Sequence, residues 1–138
     1  MKINLVGILF LFLIPALVGC GNPKVHGKVV YSDDGSPLDR GIVNFITDDY
    51  IARGPIDKSG NYVVGSMKAR DGIPSGEYKI YISDTTKVFK KRNSDVIVYK
   101  RLVDPKYENA ESSGLTLNVK GSQVFNITVD RYDASKKP

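Results

Sequence analysis

From Val25 to Tyr31 the chain alternates, with Val25, Gly27, Val29 and Tyr31 on one face and His26, Lys28 and Val30 on the other. Such period-two patterning marks a half-buried β-strand. Asp33-Asp34-Gly35-Ser36-Pro37 then supplies strong turn chemistry. Ile42 to Thr47 is β-branched and aromatic, and predicts a second strand. Ala52 to Ile56 predicts a third, and Asp57-Lys58-Ser59-Gly60 turns the chain into Asn61 to Val64, so these two runs are expected to form a hairpin. After Gly72-Ile73-Pro74-Ser75-Gly76, Tyr78, Ile80 and Ile82 point one way and Lys79, Tyr81 and Ser83 the other. Leu115 to Val119 and Phe125 to Val129 alternate on either side of Gly121-Ser122 and are expected to pair as a last hairpin. No stretch beyond Cys20 keeps apolar residues at helical spacing for three turns. About seven short strands separated by turns predict an all-β sandwich. Residues 84–113 interrupt the even spacing, with one short strand expected near Val96 to Tyr99. A connection of that length is either functional or poorly ordered.

The first residues follow a different pattern. Lys2 is the only charge before Lys24, and residues 3–14 are almost wholly apolar, as in a secretory signal segment. Leu17-Val18-Gly19-Cys20 resembles the bacterial lipobox, in which small residues precede a cysteine that is lipidated and becomes the mature N-terminus. That resemblance implies a signal peptide over 1–19, lipidation at Cys20, a short tether over 20–24, a domain over 25–132 and a flexible polar tail over 133–138. Two alternatives remain at this point: an uncleaved spanning helix, which needs roughly 17–25 apolar residues, and simple secretion. Four extended residues after Cys20 reach roughly 14 Å, so an anchored domain would sit almost on the headgroups. Gly21, rather than Asp, follows the cysteine and is similar to outer-membrane sorting in diderm bacteria.

The order of motifs carries a second resemblance. His26-Gly27-Lys28-Val29, Asp34-Gly35-Ser36-Pro37-Leu38, Gly41 to Phe45, Gly60-Asn61-Tyr62 and Pro74-Ser75-Gly76-Glu77-Tyr78 together resemble the carboxypeptidase-regulatory-like domain, a transthyretin-like (prealbumin-like) β-sandwich. The likeness spans about 25–132 and implies an accessory module for binding, adhesion or envelope structure. Gly27, Gly35, Gly60, Tyr62, Gly76 and Tyr78 are then markers of turns and strands. Gly35 and Gly60 suit positive φ, and the two tyrosines suit buried rings whose hydroxyls cap loop backbone.

Composition limits the chemistry. The 138 residues carry 20 Lys+Arg against 15 Asp+Glu, with one His, one Cys and no Trp. One cysteine allows no disulfide, and one histidine allows no paired-imidazole metal site. His26 sits on a strand near the tether, a poor place for a general base. The transthyretin-like hydrolases need several histidines and a Tyr-Arg-Gly-Ser ending, where this chain reads Asp130-Arg131-Tyr132-Asp133. Intradiol dioxygenases need two histidines. The acidic pairs Asp33-Asp34 and Asp48-Asp49, and Asp57, lack calcium-loop spacing, with Tyr62 and Lys68 where an EF-hand has Gly and Glu. The expectation is no catalytic residue, no metal and no cofactor.

One charged segment stands out. Lys87, Lys90, Lys91, Arg92, Lys100 and Arg101, with Lys106 beyond them, face only Asp95 and Asp104 and have Phe89 and Tyr99 among them. Two readings stand here: a solvated loop of ordinary charge, or contact with anionic headgroups or an acidic surface polymer, since juxtamembrane cations gain about 1 kcal/mol each near an anionic surface. Nucleic acid is not an expected partner of an exported chain with so modest a basic excess. The alternative function is a carbohydrate-binding module, whose platforms would have to come from Tyr50, Tyr81, Tyr99 or Tyr107.

Overall fold

A computed structural model describes residues 21–136 apart from Met67 and Ala69. The apolar run 3–14 and Cys20 lie outside the described residues, so the expectations placed on them do too. Among the described residues no helix is long and apolar enough to cross a membrane.

Two sheets pack face to face. The first is built on β1 (Val25–Tyr31), flanked by β4 (Asn61–Val63) on one side and by β9 (Gln123–Val124) and β10 (Ile127–Val129) on the other. The second runs β3 (Ile51–Pro55), β2 (Ile42–Ile46), β5 (Gly76–Ser83), β8 (Leu115–Val119). The alternation that predicts the strands also fills the interior. Val25, Val29, Tyr31, Tyr62, Ile127 and Val129 from the first sheet meet Val43, Phe45, Tyr78, Ile80 and Ile82 from the second, all buried. Phe45 is the hub, with Tyr78 and Phe125 edge-on to its ring at centroid distances of 6.0 and 6.4 Å.

The all-β sandwich matches the expected fold class, but two pairings differ from the sequence-based expectation. Ala52 to Ile56 and Asn61 to Val64 do not form a hairpin: β3 pairs with β2, and β4 crosses to pair with β1. The Asp57 turn is real, since the Asp57 amide donates to the Asn61 carbonyl at 2.9 Å. It serves as a corner between sheets, and one bridge, Arg53 to Gly65, joins its flanks. The last two runs also part: β8 pairs with β5, whereas β9 and β10 lie parallel to β1. Alternation states which face a residue occupies and is silent about its partner strand. There are also ten strands among the described residues rather than about seven. One source of the excess is the interruption of β9 and β10 at Phe125-Asn126. The others are β6 (Thr86–Lys90) and β7 (Ile97–Arg101), a separate two-stranded sheet inside the expected excursion.

The interruption is held by side chains. The Tyr62 hydroxyl donates to the Phe125 carbonyl, and the Lys28 amide donates to Asn126 Oδ1 at 3.0 Å, in place of a ladder bond. Gly27 is obligatory here, because a Cβ would fall 1.9 Å from the Phe125 carbonyl oxygen. Tyr78 buries its ring likewise and donates to the Pro74 carbonyl at 2.8 Å, just before Gly76 opens β5. Gly60, at φ +83, closes the Asp57 corner against the Val29 carbonyl, while Gly35, at φ +69, closes the Asp33 turn.

Candidate functional site

The body of the sandwich offers little reactive chemistry. His26 is exposed on β1, opposite Val63. The acidic turns are already engaged. Arg131 Nε donates to Asp33 at 2.7 Å, and its Nη2 donates to Asp34 at 2.9 Å and to Ser36 Oγ at 2.7 Å. Its guanidinium also stacks 3.7 Å from the Tyr31 ring centroid. The hydroxyl and amide of Ser36, assisted by Arg131, hold the Asp34 carboxyl down at about 2. Asp57 accepts from the Ser59 and Asn61 amides at 2.8 and 2.9 Å, an Asx-type turn rather than a cation loop. No group of three or more metal-ligating side chains occurs among the described residues.

A groove of about 460 Å³ crosses the outer face of the second sheet, lined by Ile46, Asp48, Glu77, Lys79, Glu111 and Thr116. Its one cation, Lys79, is spent on Glu111 at 2.7 Å. The tyrosines expected to make a sugar platform do not converge. Tyr107 is buried, with its hydroxyl on Asp130. Tyr50 lies edge-on against Tyr78, and Tyr81 sits on the outer sheet face. Only Tyr99 presents a well-exposed ring, and it lies on the two-stranded ribbon.

That ribbon gathers the predicted cations. Residues directly opposite in an antiparallel pair share a face, so Val88 and Tyr99, with Lys90 and Ile97, form one face, and Phe89 and Val98, with Lys87 and Lys100, form the other. Val88, Phe89, Val96, Ile97, Val98 and Tyr99 are 46–69% exposed, and they are six of the nine large apolar residues exposed among the described ones. The tip is polar, with Asn93 at φ +61 making the reversal. At the root, the Leu102 amide donates to the Thr85 carbonyl and the Tyr132 amide to the Leu102 carbonyl, both at 3.1 Å. Lys87 pairs with Asp39, and Arg101 lies 3.6 Å from Glu108 and over the Tyr132 ring. Lys90 reaches Asp95 at 3.5 Å, whereas Lys91, Arg92 and Lys100 have no ion-pair partner among the described residues. Lys106 is not part of the ribbon; it binds Asp130 on the body at 2.6 Å. The cation cluster is visible in the sequence, with Phe89 and Tyr99 among it, but the first strand of the ribbon is easily missed. The short strand expected near Val96 to Tyr99 is present as β7. Its partner β6 is not among the expected strands, because Val88-Phe89 does not alternate, although Asn93-Ser94 between two β-branched runs is a hairpin signal.

At the other end of the molecule the segment before β1 is bonded to the sandwich. The Ile73 amide donates to the Pro23 carbonyl at 2.9 Å, the Lys24 amide to Ser122 Oγ at 2.9 Å, and the Gln123 amide to the Lys24 carbonyl at 3.0 Å. Gly21 and Asn22 are the described residues that precede this pinned segment.

No family model matches the chain, and no curated protein matches it. Among solved structures it is similar to a DUF3823 family protein from Bacteroides ovatus, at TM-score 0.45 and 18% identity over 80% of this chain and 45% of that one. It is also similar to the major pilin subunit of Bacillus cereus, at TM-score 0.46 and 11% identity over 82% and 30%. A 9R-lipoxygenase from Cyanothece aligns at TM-score 0.41 and 18% identity over 83% and 18%. The chain spans less than half the length of each of these proteins.

Proposed function

We propose that the chain is a non-catalytic accessory module of a bacterial cell envelope, anchored by acyl chains on Cys20 and acting in binding, adhesion or envelope structure. In this reading residues 1–19 are removed, 20–24 tether the domain, 25–132 form a carboxypeptidase-regulatory-like sandwich and 133–138 trail from it. The observation that carries the reading is the tether. The lipobox-like Leu17-Val18-Gly19-Cys20 is followed, after Gly21-Asn22, by backbone bonded to two loops of the sandwich. Such a junction suits a domain seated directly on a membrane. Two or three acyl chains, at about 0.8 kcal/mol per buried methylene, hold far more firmly than one. Gly21 after the cysteine favours the outer membrane of a diderm cell. Intact-mass measurement of the protein purified from a bacterial host tests the anchor. The expected species begins at Cys20 and carries a thioether-linked diacylglycerol, and an unmodified thiol at that position overturns the proposal.

A further inference from the structure

We propose that the β6–β7 ribbon is a second membrane-contact element, which enters the interface of an anionic bilayer at the end of the sandwich remote from the tether. Three observations lead there. An isolated two-stranded hairpin is marginally stable in water, yet this one leaves six large apolar side chains open on both faces. It also sets Lys100 directly opposite Lys87, whose own charge is taken up by Asp39, so Lys100 faces a cation and no acid. Three of its cations, Lys91, Arg92 and Lys100, find no acidic partner among the described residues. None of these features helps the fold, and all suit an environment that is apolar and anionic together. In the boundary between headgroups and acyl chains, side chains such as Phe89, Val98, Val88 and Tyr99 are covered on both faces, and the three cations extend along their apolar stems to phosphates.

Other occupants fit less well. A soluble acidic polymer would satisfy the cations and leave the apolar pairs wet. A second copy would bring the same concentration of positive charge against itself. The bilayer is also the one partner that the chain itself supplies. On the anchored reading, on which this proposal rests, Cys20 brings a membrane to the Val25 end of β1. The ribbon root, at Thr85 and Leu102, is bonded to Tyr132 beyond the other end of the same strand direction, because β10 runs parallel to β1. Six residue steps along β1 cover only about 20 Å. Two contacts that far apart would lay the sandwich along the membrane surface instead of letting it stand on one end.

Among the described residues every buried core residue lies between Val25 and Val129, so residues 21–138 can be tested without acylation. Sedimentation of this segment with vesicles is expected to show binding to phosphatidylcholine–phosphatidylglycerol mixtures, little binding to phosphatidylcholine alone, and loss of binding as salt rises. The double variant K91E/R92E should lose roughly tenfold or more in affinity, from about 1 kcal/mol per cation. F89S/V98S should lose a similar amount with an unchanged melting temperature, since neither residue belongs to the core. Equal binding to both vesicle types, or no binding to either, overturns the proposal. So does a result in which K91E/R92E abolishes binding while F89S/V98S retains it, which is the signature of a polymer-type, purely ionic contact. Because the segment has no cysteine, failure here leaves the mass measurement at Cys20 as a separate and independent test of the anchor.

Discussion

Tyr62 carries two tasks in one side chain. Its ring fills the space beside Phe45, and its hydroxyl satisfies a carbonyl exposed where β9 and β10 are interrupted. Burial raises its pKa well above that of an ordinary phenol, so the hydroxyl stays protonated and keeps donating throughout the physiological pH range. Tyr62→Phe leaves the Phe125 carbonyl without this donor and is expected to lower unfolding free energy by about 1–2 kcal/mol in a denaturant titration. Gly27→Ala is the harsher change. Its methyl group has nowhere to go except into the Phe125 carbonyl, so a loss of about 3 kcal/mol or more is expected. Both positions stand out in the sequence as part of a glycine–tyrosine pattern. What the sequence hides is the reason for Gly27, because a close approach by a residue almost a hundred positions away leaves no local trace.

Elements show the same division between legible and hidden. Alternation at Val25–Tyr31 and Tyr78–Ile82 is enough to place strands and to assign their buried faces. Pairing is not legible, because a turn such as Asp57–Gly60 looks alike whether it joins neighbours or carries the chain to the opposite sheet. The ribbon lies at the limit: its cations and the strand near Val96 to Tyr99 are evident, but the partner strand β6 is not, since a strand with both faces open shows no alternation. Its two-stranded architecture and lack of core contacts predict low local stability. Backbone amides of Val88 and Val98 are therefore expected to exchange hydrogen orders of magnitude faster than those of Ile80 and Val43, and exchange mass spectrometry of the free domain would read this directly. Addition of anionic vesicles should slow exchange in the ribbon and leave the β2–β5 ladder unchanged.

Across the whole molecule, a polar seam ties the C-terminal strand to the body. Asp130 accepts from Lys106 at 2.6 Å, from Ser32 at 2.7 Å and from Tyr107 at 3.1 Å, and next to it Arg131 holds the Asp33 turn. The bond from Lys106, with help from Ser32, lowers the Asp130 carboxyl to about 2, alongside Asp34 at about 2. A carboxylate depressed on folding contributes stability that is complete above its unfolded pKa near 4 and disappears as pH falls through the folded value. The melting temperature should therefore be flat from neutral pH down to about 5 and drop between about 4 and 2. Asp130→Asn should lower the plateau and shrink the acid drop, and an acid limb identical to that of the parent would show that the seam is not its source.

The parallel course of β1 and β10 has a practical corollary for anyone labelling this protein. The chain enters the sandwich at one pole and leaves it at the other, beside Leu102. A bulky fluorescent or affinity group attached just beyond Tyr132, whose amide is bonded to Leu102, would therefore crowd the ribbon. A small epitope inserted between Lys120 and Gly121, at the pole where the chain enters, would leave that surface free.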